Sequence, residues 1–320
     1  MENKSNQFDK SMEEENEILV INSHSLKLTH LNKVFWSDQN YSKGDLINYY
    51  RQVAPYILPY LKDRPESLNR FPNGIQGSSF FQKDMGALHP EWVKTEKIYS
   101  ESNDKEINYL VCQNEATLIY MVNLGCIEIN PWSSRIAQLE NPDYVIIDID
   151  PLNISFDFVI ETALAVKEVL DQVRIKAYCK TSGATGLHVY IPLGAKYHYE
   201  QARQFAKVIA FLTHQRLPTT TSMERSPSKR KKKVYLDFLQ NSYGQTIAAP
   251  YCVRPKPKAP VSTPLEWEEV KVGLNPIDFN MQNTMERLKR KGDLFKPILG
   301  KGINLQDCLN QLEEIVNEQH

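Results

Sequence analysis

The chain has 320 residues, 41% of them hydrophobic, which is enough for one large domain or two ordinary ones. Its 38 Lys and Arg residues are balanced by 39 Asp and Glu residues, which excludes a histone-like polycation and an acidic solvating chain. The five cysteines form no CxxC pair, and no apolar run reaches the ~18 residues of a membrane span. We therefore expect a cytoplasmic protein without a disulfide framework or zinc ribbon.

The N-terminal part begins with 17 polar, aperiodic residues, for which we predict a disordered leader. A short strand is expected in ILVINSH. Between Lys43 and Leu61, apolar residues recur at helical spacing after the cap candidate Ser42, so a helix is predicted that Pro55 ends or kinks. Short strand-like segments (ESLNRFPNGIQGSSFFQKD, KTEKIYS, EINYLVC) and a helix in NEATLIYMVNLG follow.

The central part alternates strands and helices. YVIIDID, IKAYCKTSG, GLHVYIPL and KKKVYLDFLQ have strand character, whereas FDFVIETALAVKEVLDQV and YEQARQFAKVIAFLTHQ have helical spacing. This order is β-α-β-β-α-β, and it predicts an α+β fold with a ferredoxin-like or RNA-recognition-like antiparallel sheet, covered by helices on one face and open on the other. A further strand is predicted in QTIAAPYCV, and two polar helices in the last 40 residues.

Two carboxylates end the apolar strand YVIIDIDP. Asp148 and Asp150 lie two positions apart and so share one face of a strand, about 6.6 Å from each other, while Ile149 points into the helix layer. Such carboxylates repel each other unless a cation lies between them. They either bind divalent metal or stand exposed at a turn before Pro151. A third acid on a strand, Asp237 in VYLDFLQN, favours Mg²⁺ or Mn²⁺ if its strand lies next to the first.

The segment KTSGATGLHVY joins two strands through a glycine-containing turn. Gly183 and Gly186 permit backbone N–H groups to face an anion, Ser182 adds a hydroxyl, and Lys180 and His188 can bring positive charge to a phosphate. Such a hairpin is often only a turn. Beside a carboxylate metal site, it indicates a triphosphate-binding loop.

Basic and aromatic residues occur together in the N-terminal half, a combination that can hold a nucleic-acid backbone and stack its bases. They are Lys33, Lys43, Arg70 and Lys83 with Phe35, Trp36, Phe71, Phe80 and Phe81. We expect Phe35 and Trp36 in the core, and one of the adjacent Phe80 and Phe81 at the surface. A basic run, KRKKK at 229–233, precedes the Asp237 strand and is either a solvated loop or a phosphate contact.

Eight ordered blocks between about Leu28 and Leu294 resemble one family, the polymerase domain of bacterial ligase D in the archaeo-eukaryotic primase superfamily, which acts in non-homologous end joining. The blocks are LTHLNKVFW, KGDLINYY, RFPNGIQGSSFFQKD, NLGCIEINPW, DIDP, KTSGATGLHVYIPL, VYLDFLQN and APYCVRPKPKAPVSTPLEW. Their number and order make the resemblance far more specific than the two aspartates alone.

The resemblance implies a primase-type fold and a role for each matching residue. Asp148, Asp150 and Asp237 are expected to bind two catalytic ions, Mn²⁺ or Mg²⁺, while Ser182 and His188 contact the triphosphate of an NTP or dNTP, with Gln240 and Arg254 close to the nucleotide. Lys33 and Lys43 match lysines that hold a downstream 5′-phosphate, and Phe80 and Phe81 match aromatics that stack on the template, with Arg70 and Lys83 beside them. Three positions depart from the family pattern, namely His30, Asn130 and Thr185, and the last two are expected to weaken nucleotide binding or to change its selectivity.

The expected organisation is a primase–polymerase domain at 18–300, with an N-terminal module at about 18–140, a catalytic core at about 141–260, and a C-terminal helix or tail at 301–320. The KxDG motif of an attached ligase domain is missing, so the expected partners are gapped or broken DNA, a separate ATP-dependent ligase and bacterial Ku. Three other functions stay open, namely a true primase, a metal-dependent nuclease or cyclase, and a non-catalytic module that binds DNA ends.

Overall fold

The computed structural model describes residues 17–101 and 103–318. The predicted leader at 1–17 lies outside these residues, except for Glu17, which begins the first strand. None of the helices in the described part of the chain combines the length and the apolar character that a bilayer crossing requires.

The N-terminal half consists of short strands around two helices. Its elements are β1 (Glu17–Ile21), β2 (His24–Leu28), β3 (Val34–Trp36), β4 (Tyr41–Ser42), α1 (Lys43–Leu61), β5 (Glu66–Arg70), β6 (Phe80–Gln82), β7 (Thr95–Ser100), β8 (Lys105–Leu110), α2 (Glu115–Asn123), β9 (Cys126–Pro131), β10 (Ser134–Arg135) and β11 (Gln138–Pro142). The strands pair locally, and β6, β5 and β9 form a three-stranded sheet.

The C-terminal half is built on one larger sheet. Its elements are β12 (Tyr144–Pro151), α3 (Phe156–Gln172), β13 (Tyr178–Thr181), β14 (Leu187–Pro192), α4 (Tyr199–Arg216), β15 (Thr221–Ser222), β16 (Val234–Asp237), β17 (Pro264–Leu265), α5 (Thr284–Lys291) and α6 (Leu305–Glu318).

Helix α1 runs through the position where the sequence predicted an end or a kink. Ser42 caps it in a capping box with Asp45, as expected for its first turn. Pro55 and Pro59 both lie inside the helix, on its exposed face. Pro55 leaves the carbonyl of Arg51 without an intrahelical donor, but because Arg51 is exposed, water can take that place. Of the two predicted effects of Pro55, an end of the helix was therefore wrong, and a kink stays a prediction.

The large sheet has the strand order β15-β16-β12-β14-β13-β17, and each pairing is antiparallel except that of β15 with β16. The succession β12, α3, β13, β14, α4, β16 confirms the predicted β-α-β-β-α-β order. The strand predicted in QTIAAPYCV was wrong, because 245–253 contributes only isolated bridges at Thr246 and Val253. Its backbone groups bond across to other segments instead, for example Ala249 N–H to Ile129 O (3.1 Å).

The two faces of β12 belong to different parts of the core. Val145, Ile147 and Ile149 pack against α3 and α4, as predicted for Ile149. Tyr144 and Ile146 face the other way and join the core of the N-terminal half. The face predicted to be open is therefore covered at the start of β12 and opens only at its end, where Asp148 and Asp150 lie.

The C-terminal helix α6 packs on the helix side of the sheet. Leu305, Cys308 and Leu312 are buried there, one turn or so apart. Helix α5 buries Thr284 and Leu288 and exposes Lys289 and Arg290, whereas Arg287 and Lys291 are half-buried in ion pairs with Glu269.

Candidate active site

Four polar residues form a row across neighbouring strands of the large sheet. Asp148 on β12 lies directly opposite Asp237 on β16 and His188 on β14. His188 in turn lies opposite Lys180 on β13. Residues directly opposite one another in a sheet point to the same face. The strand of Asp237 thus lies next to that of Asp148, which is the condition that the sequence analysis set for a metal site, and Asp150 shares this face two residues further on.

The carboxylates of this row are crowded and poorly solvated. Burial is the main cause that raises the pKa of Asp148 well above its usual range, and the charges of Asp150 and Asp237 raise it further. Burial and the charge of Asp237 also raise the pKa of Asp150. Oδ1 of Asp148 is buried and accepts no well-aligned hydrogen bond, although Nε2 of His188 lies 3.3 Å away. Positive charge is what this group of oxygens lacks.

The three aspartates fit a divalent cation by their chemistry. All donors are carboxylate oxygens, the ligands that Mg²⁺ and Mn²⁺ prefer, and the buried oxygen of Asp148 lacks a partner that an ion would supply. In the described part of the chain, no three side chains of His, Cys, Asp or Glu are placed so that they could hold a metal ion as they stand. Asp237 Oδ1 instead accepts the backbone N–H of Leu239 (2.8 Å).

The turn between β13 and β14 packs directly against the aspartates. A Cβ added at Gly186 would lie 2.4 Å from Ile149 O and 2.7 Å from Asp150 Oδ1, and Gly183 has a positive φ of 72°. Both positions therefore require glycine. Ser182 Oγ accepts the N–H groups of Ala184 (3.1 Å) and Gly186 (3.0 Å). The N–H of Gly186, which the sequence analysis assigned to an anion, thus serves the turn itself.

Lys180 was expected to bring positive charge to a phosphate, but its side chain does not reach the surface. Its side chain is fully buried, and its Nζ contacts Nδ1 of His188 (2.8 Å), Oγ of Ser262 (2.6 Å) and O of Ala248 (3.1 Å). Burial, followed by the charge of Arg254, lowers its pKa to about 7. A direct contact between this ammonium and a bound phosphate is therefore not supported, and the corresponding prediction needs correction.

His188 stands between Lys180 and the aspartates. Burial is the first cause that lowers its pKa well below the usual range, and the neighbouring positive charge of Lys180 is the second. The imidazole is therefore neutral at neutral pH. It can act as a hydrogen-bond donor to a phosphate, but not as the positive charge that the sequence analysis considered.

Arg254 is held at the mouth of the turn by a residue that the sequence analysis did not single out. Its Nε lies 3.1 Å from Oε2 of Glu128, and it also donates a hydrogen bond to the carbonyl of Ser182. Glu128 is buried on β9 and accepts a hydrogen bond from Asn69 (3.3 Å). Glu128 gave no signal in the sequence, because it is a single acidic residue in a strand and its partner Arg254 lies 126 positions away.

The short helix after β16 connects two further residues to the site. Gln240, predicted near the nucleotide, donates to the carbonyl of Thr246 (3.1 Å). The next residue, Asn241, is buried and bonds both backbone groups of Ile146, accepting its N–H (2.8 Å) and donating to its carbonyl (2.6 Å). Asn241 was not predicted to matter, yet it fixes β12 two residues before Asp148.

The basic run at 229–233 reaches the site through Arg230. Its guanidinium lies 3.5 Å from the centre of the Tyr235 ring, and its charge is one of the influences that lower the pKa of Asp150, against the larger opposing effects of burial and Asp237. The other residues of the run are exposed or half-buried.

A second positive cluster lies at the start of α1. Lys43, the first residue of the helix, is nearly buried and donates to Thr29 O (2.6 Å) and Asn123 Oδ1 (2.8 Å). Burial, with the charges of Lys33 and Arg70, lowers its pKa to about 8. Lys33 donates to Asn73 Oδ1 (2.6 Å). The two predicted lysines thus lie close to Arg70. Because these positive charges repel one another, a bound anion would stabilise the cluster.

The predicted template aromatics lie beside this cluster. Phe80 and Phe81 on β6 are 47% and 60% exposed, so both reach the surface rather than one. Arg70 lies 5.1 Å from the centre of the Phe80 ring. With Lys83, these side chains line a shallow cavity of about 430 Å³. In contrast, Phe35 and Trp36 are buried, as predicted.

The three departures from the family pattern occupy different surroundings. His30 is exposed, in a left-handed conformation with φ of 56°. Asn130 is buried, and its amide donates to the carbonyls of Ser67 and Glu128 (3.4 Å each). Thr185 is exposed in the turn after Ser182. Their effects on nucleotide binding stay predictions.

Comparison with known proteins gives consistent relatives. Residues 42–295 match the family described as LigD, primase-polymerase domain. The bifunctional non-homologous end joining protein LigD of Bacillus subtilis is 33% identical over 269 residues, which are 83% of this chain and 43% of that protein. The multifunctional non-homologous end joining protein LigD of Pseudomonas aeruginosa is 29% identical over 265 residues, 82% of this chain and 31% of that protein. The chain therefore spans less than half the length of these relatives.

A solved structure supports the fold. The polymerase domain from Mycobacterium tuberculosis ligase D, in complex with DNA, superposes with a TM-score of 0.81 at 26% identity, covering 87% of this chain and 99% of that one. The α+β primase fold and the family predicted from the eight sequence blocks are both confirmed. Enzymes of this nucleotidyltransferase type normally depend on metal ions. The chain thus belongs to the LigD primase–polymerase domain family of DNA-polymerising nucleotidyltransferases.

Proposed function

We propose that this chain is a template-dependent polymerase that fills gaps and extends 3′ ends at DNA double-strand breaks in bacterial non-homologous end joining. The single observation that carries the proposal is the row Asp237, Asp148 and His188 on one face of the sheet, with the turn at 182–186 packed against it. Family membership supplies the reaction class.

The aspartates are proposed to hold two ions, Mn²⁺ or Mg²⁺. The all-carboxylate donor set and the partnerless Oδ1 of Asp148 support this. When bound, such ions activate a 3′-hydroxyl and neutralise a triphosphate. The protein contributes a rigid frame: β12 is buried on its helix side by Ile147 and Ile149, so Asp148 and Asp150 stay on the uncovered side. The primer 3′-hydroxyl loses its proton to solvent, its oxygen bonds to the α-phosphorus, and the bond from that phosphorus to the bridging oxygen breaks, which releases pyrophosphate.

The incoming NTP or dNTP is proposed to lie between the turn and β9. Ser182 still has its hydroxyl hydrogen to donate, because its oxygen only accepts from Ala184 and Gly186. Nε2 of His188 and the guanidinium of Arg254 face the same region, and Gln240 borders it. Charge-assisted hydrogen bonds of this kind hold phosphate oxygens in place for in-line attack.

The DNA is proposed to bind across the N-terminal half. Lys33 and Lys43 would hold the downstream 5′-phosphate, and Phe80 and Phe81 would stack on template bases, with Arg70 and Lys83 on the backbone. Exposed aromatics beside a concentration of positive charge support this assignment. The link between Asn69, Glu128 and Arg254 connects this surface to the nucleotide site.

The polymerase domain is proposed to span residues 18–300 and to be followed by the C-terminal helix. Within it, we propose an N-terminal module at about 18–140 and a catalytic core at about 141–260. The two largest hydrophobic clusters support the division, and residues 247–261 of the catalytic part pack into the N-terminal one. We further propose a cytoplasmic protein that works on the nucleoid with a separate ATP-dependent ligase and bacterial Ku.

The proposal is tested with gapped DNA that carries a downstream 5′-phosphate. Wild-type protein with Mn²⁺ and NTPs is expected to add the templated nucleotide, whereas Asp148→Ala is expected to add none. Full extension by Asp148→Ala would overturn the assignment of the metal site. A true primase would also make products on an unprimed template, and a nuclease would shorten the DNA instead. Binding that needs the 5′-phosphate, without incorporation in any metal, would identify an end-binding module.

A further inference from the structure

Lys180 occupies an unusual place for a charged residue next to a phosphate-binding turn. It ends the row that begins at Asp237 and runs through Asp148 and His188, and each neighbour in the row is a direct cross-strand partner. Its side chain is wholly buried behind His188. An ammonium in this position cannot touch a ligand in the groove, so whatever it does for the site passes through His188.

The hydrogen bonds of Lys180 determine the direction of its contact with His188. Below its pKa of about 7, Lys180 is an ammonium with three N–H donors, and three atoms surround its Nζ. The carbonyl of Ala248 can only accept. Ser262 already donates its hydroxyl hydrogen to Thr181 O (2.9 Å), so its oxygen offers a lone pair to Lys180. The third donor is left for Nδ1 of His188, which must therefore carry a lone pair.

A lone pair on Nδ1 leaves Nε2 as the only ring nitrogen that can carry a hydrogen. Nε2 is the atom on the groove side, 3.3 Å from Oδ1 of Asp148. Because that contact is poorly aligned, Asp148 gives little help in selecting the tautomer. The hydrogen bond from Lys180 to Nδ1 (2.8 Å) is the shorter of these two contacts of the ring, and it therefore selects the tautomer.

We propose that Lys180 is a positioning residue, which holds His188 in the Nε2–H tautomer and points that N–H at the substrate groove. The consequence for catalysis rests on the proposed function: with this tautomer His188 donates a hydrogen bond to a triphosphate oxygen. The other tautomer would present a lone pair to the anion, and the ring would repel the substrate that it is placed to bind. A buried cation thus serves nucleotide binding without touching the nucleotide.

The first test reads the tautomer in the protein without nucleotide or metal. Long-range ¹H–¹⁵N spectra assign which ring nitrogen of His188 carries the hydrogen. We expect a protonated Nε2 and, at Nδ1, a lone pair that accepts a hydrogen bond. In Lys180→Met, the tautomer should no longer be fixed, so both ring nitrogens should move toward the intermediate shifts of a mixture of the two tautomers. Ser262→Ala is the matched control, because it removes another contact of Lys180 and leaves the one to His188.

The second test measures nucleotide incorporation on gapped DNA. Lys180→Met is expected to raise KM for the NTP about tenfold, the effect of one lost hydrogen bond to a charged group, with a smaller change in kcat. In a His188→Ala background, Lys180→Met should add less than about twofold, because a residue that acts through another has no independent effect.

Two results would overturn the proposal: a hydrogen on Nδ1 in the wild-type protein, or fully additive losses in the double variant. If Lys180→Met does not fold, the wild-type spectrum still decides the tautomer. If the wild-type protein incorporates no nucleotide, the proposed function fails, while the spectrum independently supports or refutes the role of Lys180.

Discussion

Replacing Asp148 by Asn is expected to stabilise the metal-free protein while abolishing its activity. Burial and the neighbouring carboxylates raise the folded-state pKa of Asp148 above its unfolded value. A group of this kind contributes stability below its unfolded pKa and loses it as pH rises through the folded pKa. Near neutral pH, the ionised carboxylate therefore costs stability, and an amide of the same shape removes that cost.

The expected magnitude follows from the environment of the group. Oδ1 of Asp148 is buried without a well-aligned partner, and a buried polar atom in this state costs about 1–3 kcal/mol, more when it is charged. For a chain of 320 residues, the melting temperature should rise by roughly 1.5 °C per kcal/mol. Activity should fall by about 10³ or more, since the carboxylate would no longer help to hold the ions.

Thermal unfolding with and without Mn²⁺ is the assay. In metal-free buffer at pH 7.5, Asp148→Asn should melt above wild type, and Mn²⁺ at about 100 times its Kd should stabilise wild type by about 2.7 kcal/mol but the variant far less. Asp171→Asn, an exposed carboxylate on α3, is the control and should change stability by less than about 0.5 kcal/mol. Equal melting of variant and wild type without metal, together with equal stabilisation by Mn²⁺, would refute the reasoning.

Three further predictions concern the DNA and nucleotide contacts. The pKa of Lys43 is lowered to about 8, so this residue loses its charge as pH rises through 8. The gain in extension rate from a downstream 5′-phosphate should therefore shrink between pH 7 and 9. A gain that is constant over this range would contradict the assignment. Phe81→Ala should weaken template binding by about 1–3 kcal/mol in fluorescence anisotropy and leave unfolding unchanged, because the ring is exposed; loss of stability without loss of binding would point to packing instead. Glu128→Gln should raise KM for the NTP about tenfold, as Arg254 loses its ion partner, and an unchanged KM would show that Arg254 needs no such support.

The sequence predicted the catalytic half of the fold well, because its signals are local. Alternating apolar residues mark β12, helical spacing marks α3 and α4, and the cross-strand position of Asp237 follows from the order of elements. The continuation of α1 beyond Pro55 was missed, because a rule based on the lost hydrogen bond alone ignores the exposure of Arg51, the residue whose carbonyl loses its donor. Residues 245–253 have strand composition, but their partners come from distant segments rather than from a neighbouring strand.

The sequence predicted which residues form the site better than it predicted how they are arranged. Lys180 was expected at the phosphate, and only the register of β13 with β14 reveals that it lies behind His188. Glu128 and Asn241 carry no motif of their own, since each acts on a partner more than 90 residues away. Their importance depends on tertiary contacts, which spacing along the chain does not encode.

The most direct test of the central claim is a count of pyrophosphate released per nucleotide added to 5′-phosphorylated gapped DNA with Mn²⁺ and NTPs. Wild-type protein is predicted to release one pyrophosphate for each templated nucleotide, and Asp237→Asn to release none while still binding the DNA. Undiminished incorporation by Asp237→Asn, or a wild-type protein that binds the gap without adding a nucleotide, would contradict a polymerase centred on these aspartates.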